Sequence, residues 1–215
     1  MSKTTLCKFV LLASALLLPA LAAAQRYGMR PDLAGWPPTS SRAAQMMMER
    51  YGPPDEVSDS MLTWHRAGQF KRTTVYREPV AHDWPVPHHD VLEQVIDYRV
   101  PPNRFDDLAR YNGSITANRT AGELAVRCDR EDSNLLSLNL AHEIASGLRT
   151  TEDARAFHVQ SMEELMNGEP GPYVQGLRID RRALVNTADP DRASPALAMQ
   201  PREDFWRQRG RDRDF

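Results

Sequence analysis

The hydrophobic pattern is strongest between residues 111 and 148, where it predicts two short strands followed by a buried helix. Leu124, Val126 and Cys128 alternate with small or polar residues, so they share one face of a strand. An acidic stretch at 129–132 then suits the positive end of a helix dipole, and the apolar positions change to helical spacing. Their wide stripe predicts a helix packed against a sheet. The stripe consists of Leu136, Leu138, Leu140, Ala141, Ile144, Ala145 and Leu148.

Shorter patterned segments lie on both sides of this central unit. Residues 91–100 place Leu92, Gln94 and Ile96 on one face, which favours a strand, although part of the segment also fits a helix. Thr150 begins a capping arrangement that predicts a second helix. The remaining segments are a short helix at 42–51, a hairpin at 61–66 and 70–76, the second helix at 151–167 and a last strand at 173–179.

Together these elements predict an α+β fold. A small, mostly antiparallel sheet is expected to pack against the two helices of the C-terminal half, with a short helix–hairpin unit leading the chain. The expected organisation is a signal peptide at 1–24, an irregular segment at 25–41, a single domain at 42–179 and a charged, disordered tail at 180–215.

The first 24 residues have the pattern of a cleaved signal peptide. Two lysines provide the positive start, residues 9–18 form the apolar run, and three alanines ending at Ala24 form a small-residue cleavage site. Cleavage before Gln25 predicts a soluble protein exported to the bacterial periplasm or beyond. The apolar run is too short for a membrane span, and Cys7 precedes it, so we expect neither a span nor a lipid anchor.

The charge balance bears on the choice of partner. The chain has 27 basic and 29 acidic residues, and the first 24 residues contain two of the lysines and no acid. The remainder therefore has 25 basic against 29 acidic residues, a net charge of −4. This negative balance argues against nucleic acid as the main partner, and we expect another protein of the cell envelope instead.

Cys128 is the one cysteine after residue 24, which excludes a framework of disulfides within that part of the chain. Its place on the face of Leu124 and Val126 predicts a buried structural thiol. The alternatives are an intermolecular disulfide or a reactive thiol.

Residues 79–90 contain the best candidates for chemistry. Three prolines predict an extended loop there, and His82, His88, His89 and Asp90 offer nitrogen and oxygen ligands for zinc or copper. Neighbours on an extended chain point in opposite directions, so His88 and His89 are not expected to hold one ion together. We therefore expect a site made by His82, one residue of that pair and a third ligand. The alternative is a solvated, proline-stiffened loop without metal. Candidates for the third ligand are His65, His142 and Asp90.

Other features favour binding over catalysis. The chain has no nucleophile elbow, no phosphate-binding glycine loop and no Cys-x-x-Cys pair. Trp36 and Trp84 lie in segments predicted to be loops, next to prolines, and exposed tryptophans of this kind are typical of recognition surfaces. The alternative is that both indoles clamp their loops onto the core.

A short helix, a Gly-Pro-Pro-Asp turn at 52–55 and a strand centred on Trp64 follow one another in residues 42–76. In this order the segment resembles the outer-membrane-assembly lipoproteins of the SmpA/OmlA type, although the lipid-anchoring cysteine of that family has no counterpart here. The similarity is one of local shape. The lack of a catalytic motif and the peripheral tryptophans lead us to expect an exported, non-enzymatic binding or accessory protein of the bacterial cell envelope. The alternative is a metal-binding protein or metal-dependent hydrolase that uses His82, His88 and His89.

Overall fold

The structure, a computed structural model, describes residues 31–195. Within these residues six strands form one sheet in the order β1-β2-β3-β4-β6-β5, and every neighbouring pair is antiparallel. Four α-helices of the same part of the chain accompany the sheet, which confirms the predicted α+β class. The strands are β1 (Glu56–Val57), β2 (Met61–His65), β3 (Arg72–His82), β4 (His88–Asp97), β5 (Ile115–Asn118) and β6 (Glu123–Cys128). The helices are α1 (Pro38–Tyr51), α2 (Phe105–Tyr111), α3 (Glu131–Ala145) and α4 (Thr151–Met166).

Helices α1 and α3 cover the same face of the sheet. Leu92 and Ile96 lie four residues apart on β4, so their side chains share that face. Leu92 packs in a cluster with Met47 of α1, whereas Ile96 packs in a second cluster with Leu136 of α3. Helix α4 packs against α2 and α3 rather than chiefly on the sheet. The predicted helix–hairpin unit is thus present, with its helix seated on the sheet that the hairpin joins.

Buried polar contacts join the two helices between these clusters. Gln94 lies between Leu92 and Ile96 on β4 and donates a hydrogen bond of 2.7 Å to the Glu131 carboxylate. The Tyr51 hydroxyl at the end of α1 donates to the same carboxylate at 2.8 Å. Because Glu131 is the first residue of α3, its charge also lies at the positive end of the helix dipole.

The segment 79–90 differs from the predicted loop. Its two ends continue β3 and β4 as the arms of a long hairpin, and residues 83–87 form the connection, with a cis peptide bond between Trp84 and Pro85. The pairing of β3 with β4 shifts register between Val75 and Val80. Pro79 lies within that irregularity, where its missing N–H removes no regular ladder bond. The loop prediction was therefore wrong for the end of β3 and the start of β4, because the prolines were taken as a sign of irregular structure.

The segment 173–179 is not the predicted strand. It begins with a 3₁₀ turn at Pro172–Val174, and the buried Asn139 side chain of α3 satisfies its backbone. The Asn139 amide donates to the carbonyls of Tyr173 and Gly176, both at 2.9 Å, and its oxygen accepts from Arg178 N–H at 2.7 Å. These bonds take the place of a neighbouring strand.

Several boundaries also differ. Helix α1 begins at Pro38, inside the segment 25–41 that the sequence places outside the domain. Helix α3 ends at Ala145, so Leu148 is 75% exposed and does not extend the apolar stripe. Residues 180–191, assigned from the sequence to a disordered tail, lie against the domain, where Arg99 donates hydrogen bonds to the carbonyls of residues 186, 187 and 188.

The predicted signal peptide at 1–24 and the end of the predicted tail at 196–215 lie outside the described residues. Within residues 31–195, no helix is long and apolar enough to cross a membrane.

Candidate functional site

The β3–β4 hairpin brings the side chains of His82 and His88 together. The two residues are paired across the hairpin, and their ring centroids are 4.8 Å apart. Asp90 follows His88 by two residues on β4, so its side chain lies on the same face of the strand. That face continues into Leu92, Gln94 and the covered side of the sheet. The site is therefore an extension of the buried face beyond the apolar core.

Three potential metal ligands meet at this place. One ligand atom each from His82, His88 and Asp90 lies within 4.8 Å of the other two, and this is the one such group among residues 31–195. The distance from His88 Nε2 to Asp90 Oδ1 is 3.1 Å, and that from His82 Nδ1 to Asp90 Oδ2 is 3.4 Å. His89, paired with Ala81, is exposed and does not join the group. Strand alternation separates it from His88, as the sequence predicts for the pair.

The Asp90 carboxylate is buried and only partly satisfied. The residue is 4% exposed, and its Oδ2 accepts a hydrogen bond from the Ser114 hydroxyl. Its Oδ1 lies 3.1 Å from His88 Nε2 in poor hydrogen-bonding geometry and has no other hydrogen-bond partner among the described residues. Burial raises the Asp90 pKa, but His88, Ser114 and His82 outweigh that effect and hold the pKa below its ordinary value. Asp90 is therefore a buried carboxylate anion.

His88 is held with one nitrogen towards Asp90. Its Nδ1–H donates a hydrogen bond of 2.8 Å to the Val86 carbonyl, which leaves Nε2 facing the site. A backbone carbonyl on the far ring nitrogen is the usual arrangement for a metal-binding histidine, because it fixes the ring orientation and tautomer. Asp90, followed by Cys128, raises the pKa of His88 to about 11. A metal ion at Nε2 would take the place of that proton.

Ser114 and Cys128 complete the surroundings, and the sequence interpretation included neither of them in the site. Ser114 Oγ lies 3.1 Å from His82 Nδ1, and Cys128 Sγ lies 3.4 Å from His88 Nε2. Both come from the other side of β4, where β6 pairs Cys128 with Leu92. For Cys128 the sequence did contain a signal, because the alternation of apolar residues places it on the inner face of its strand.

A layer of aromatic side chains lies next to this group. The Trp84 ring is 4.6 Å from that of His158, and the Arg155 guanidinium lies 4.1 Å from the Trp84 ring centroid. The Tyr111 hydroxyl is 2.8 Å from His158 Nδ1. Burial, followed by the charge of Arg155, lowers the pKa of His158 to about 3. His158 is therefore neutral at physiological pH.

Neither tryptophan proposed for partner binding is exposed. Trp84 is half-buried and packs against the cluster on α3, and Trp36 is half-buried against the cluster on α1. Their packing fits the alternative in which the indoles clamp their segments onto the core. A partner-binding role for Trp36 and Trp84 stays a prediction.

The other histidines considered as third ligands lie elsewhere. His65 Nε2 is 2.5 Å from the Glu56 carboxylate on the exposed edge of the sheet. His142 Nδ1 is 2.8 Å from the Tyr98 hydroxyl, and burial lowers the His142 pKa. Among the three candidates, Asp90 is the one that the fold brings to His82 and His88.

A groove of about 890 Å³ runs beside the site, between α1 and the start of α3. Pro87, His88 and His89 form part of its wall, and Asp129 and Arg130 lie at its end near α3. The His88 side chain is 11% exposed and that of His82 is 19% exposed, so the ligand group can be reached from solvent.

No protein-family model, curated protein or solved structure matches the chain.

Proposed function

We propose that this protein is an exported metal-binding protein of the bacterial cell envelope that holds one zinc ion with His82, His88 and Asp90. The observation that carries the proposal is the buried Asp90 carboxylate, whose Oδ1 lacks a hydrogen-bond partner in the described part of the chain while two imidazoles face it. Buried anions are normally neutralised by a paired charge or by a metal ion. Here a divalent ion would satisfy the carboxylate and both rings together.

The distances between the ligand atoms support zinc. Bonds of about 2.0–2.1 Å to nitrogen and oxygen in a tetrahedron place two ligand atoms about 3.3 Å apart. The observed distances are 3.1 Å from Asp90 Oδ1 to His88 Nε2 and 3.4 Å from Asp90 Oδ2 to His82 Nδ1, so each imidazole lies at this spacing from a different oxygen. With one ligand atom from each residue, the three atoms lie within 4.8 Å of one another, so the group must contract to surround one ion. Two imidazoles with one carboxylate form a set common for zinc, and copper is the competing ion.

The main alternative without metal is a buried ion pair between His88 and Asp90. An ion pair accounts for the raised pKa of His88. It leaves unexplained why a second imidazole and a hydroxyl converge on the same carboxylate. Zinc binding by the parent chain separates the two accounts, because the ion pair alone predicts none. His89 is the control for His88, since it has the same residue type on the same strand and is exposed.

The test is zinc binding by the purified chain and by two single variants. Elemental analysis and calorimetric titration, without an affinity tag, should find about one zinc per chain in the parent and in His89→Ala. In His88→Ala the zinc affinity should fall at least about tenfold, since even outer partners of metal ligands contribute 10–100-fold. A parent that binds no metal, or an equal loss in both variants, contradicts the proposal.

The export part of the proposal rests on the sequence of residues 1–24. A chain recovered from the periplasm of a bacterial host should begin at Gln25 when its first residues are sequenced. Retention of the full chain in the cytoplasm would contradict it. A role beside another envelope protein follows from this location and from the negative charge, and crosslinking in the periplasm is the way to find that partner.

A further inference from the structure

We propose that Ser114 is a positioning residue of the metal site, which holds one oxygen of Asp90 so that the other oxygen alone binds the ion. The inference rests on the proposed metal site and adds to it the way in which the carboxylate coordinates. The Ser114 hydroxyl donates a hydrogen bond to Asp90 Oδ2. Asp90 Oδ1 instead faces His88 Nε2 at 3.1 Å and has no other partner among residues 31–195. The two oxygens of one carboxylate thus have different surroundings.

The hydroxyl proton of Ser114 belongs to the bond with the carboxylate. Ser114 Oγ lies within reach of two groups, Asp90 Oδ2 and His82 Nδ1, the second at 3.1 Å. A hydroxyl has a single proton, and a carboxylate anion is a stronger acceptor than a neutral ring nitrogen, so the proton is donated to Asp90. Oδ2 is thereby occupied. Oδ1, on a residue that is 4% exposed, is the oxygen left for a cation.

The backbone on both sides of Ser114 fixes the place of this hydroxyl. The Ser114 N–H donates to Asn112 Oδ1 at 2.9 Å, and the Ser114 carbonyl accepts from the Arg127 N–H at 3.1 Å. Asn112 directly follows α2 and is 6% exposed, so the turn is anchored to a helix on one side and to β6 on the other. These bonds use backbone groups of Ser114. The hydroxyl is therefore not needed for the turn and serves the carboxylate.

A hydrogen bond to one oxygen affects both the strength and the geometry of metal binding. Outer partners of metal ligands commonly contribute 10–100-fold to metal affinity, because they fix the ligand before the ion arrives. A carboxylate held at Oδ2 binds zinc through Oδ1, whereas a carboxylate without this bond can turn and bind the ion with both oxygens. Binding through one oxygen keeps the number of ligands low, which suits the tetrahedral preference of zinc.

Cobalt(II) reports this geometry in the parent chain and in variants of Ser114. It replaces zinc, and tetrahedral cobalt(II) absorbs visible light more strongly than cobalt(II) with five or six ligands. The parent chain should bind one cobalt with strong absorption. Ser114→Ala should bind zinc at least about tenfold more weakly, and its bound cobalt should absorb more weakly because both Asp90 oxygens then bind. Ser114→Thr retains the hydroxyl and should restore both properties.

Ser133→Ala is the matched control for the loss of a serine hydroxyl within the fold. Ser133 lies on α3 and is 1% exposed, and its hydroxyl donates to Met162 Sδ of α4 at 3.8 Å rather than to a proposed ligand. This variant should therefore bind zinc as the parent chain does, with the same cobalt spectrum.

The outcomes separate this inference from the function on which it rests. No binding of cobalt or zinc by the parent chain overturns both. Parent-like zinc affinity in Ser114→Ala overturns the role of Ser114 and leaves the three-ligand site in place. Weaker binding with an unchanged cobalt spectrum, or without recovery in Ser114→Thr, also overturns that role, because the hydroxyl then does not select the oxygen.

X-ray absorption by the zinc-loaded parent chain decides the matter even if Ser114→Ala fails to fold. The distance from zinc to the carboxylate carbon differs between binding through one oxygen and binding through two. We expect the distance for one oxygen, and the distance for two overturns the inference.

Discussion

His158 is buried beside the candidate site in a place that keeps it uncharged. The residue is 3% exposed, its Nδ1 lies 2.8 Å from the Tyr111 hydroxyl, and its ring lies against Trp84. Burial is the main cause of the low His158 pKa, and the positive charge of Arg155 adds to it. The neutral ring accepts the tyrosine hydrogen bond, so protonation would both bury a charge and remove that acceptor.

Acidification should therefore destabilise the protein through His158. Its pKa is about 3 in the fold and about 6.5 in an unfolded chain, so the unfolded state binds the extra proton first. The free energy of unfolding should fall as the pH drops from about 6.5 towards 3, by at most about 1.4 kcal/mol per pH unit from this group. Denaturant titrations at several pH values measure this slope.

His158→Gln is the variant that isolates the effect. Glutamine keeps a hydrogen-bonding amide but has no charge to gain, so the difference in slope between parent and variant belongs to the histidine. We expect a flatter dependence in the variant between pH 6 and 4. Parallel slopes in the two proteins would show that His158 is not held neutral by the fold.

Strand alternation in the sequence predicted the orientation of some individual side chains of the site. It separated His88 from His89, and it placed Cys128 on an inner face. The closeness of Cys128 to His88 depends on the register of β4 against β6, which joins residues 40 positions apart. A local pattern carries no information about that register, so the sequence favoured a buried structural thiol, with an intermolecular disulfide or a reactive thiol as the alternatives.

At the scale of elements, one buried asparagine of α3 determines the path of residues 173–179. Asn139 is 1% exposed, and its side chain bonds the backbone at Tyr173, Gly176 and Arg178. The apolar residues Val174 and Ile179 are buried on either side of these bonds. The alternating pattern of the segment thus reflects which residues are buried. The predicted strand is absent because the backbone bonds to the Asn139 side chain and not to a neighbouring strand.

Asn139→Ala should remove these bonds together. Two carbonyls and one N–H in a partly buried region would then lose their partners, and we expect the free energy of unfolding to fall by about 1–3 kcal/mol. Asn167→Ala is the matched control, because Asn167 is exposed at the end of α4 and its replacement should change stability by less than about 0.5 kcal/mol. Equal stability of the two variants in urea titrations would contradict the account.

The hairpin at 79–90 was wrongly predicted to be a loop because of its prolines. Pro79, Pro85 and Pro87 indicate a loop when each is read by itself. In the fold, Pro79 lies in a register shift of β3 and the other two lie in the connection, so none interrupts the ladder at His82 and His88. The two histidines become cross-strand neighbours for that reason.

At the scale of the whole molecule, Arg99 fixes the last described segment to the domain. Its guanidinium donates to the carbonyls of Asn186, Thr187 and Ala188 at 2.5, 3.2 and 2.6 Å. Gly122, with φ of +63°, lies so close to Thr187 that a Cβ at this position would be 2.2 Å from the Thr187 carbonyl oxygen. The charge and proline content of the chain from residue 180 predicted disorder. Neither feature can show that a distant arginine, Arg99, holds this segment by hydrogen bonds.

Arg99→Ala should therefore release this segment. Amide exchange in residues 185–191 should accelerate, and limited proteolysis should cut there earlier, because three charge-assisted hydrogen bonds are lost. Arg181→Ala, which removes an exposed arginine of the same region, should leave both measurements unchanged. Unaltered exchange in Arg99→Ala would mean that other contacts hold the segment.

A zinc titration of the parent chain beside Asp90→Asn and Asp83→Asn tests the metal site itself. Asparagine preserves the shape of each side chain and removes its charge, and Asp83 is exposed in the connection of the same hairpin. We predict one zinc per chain in the parent and in Asp83→Asn, and at least about tenfold weaker binding in Asp90→Asn. A parent chain without zinc affinity, or an Asp90→Asn variant that binds zinc as the parent does, would contradict a metal site built on this carboxylate.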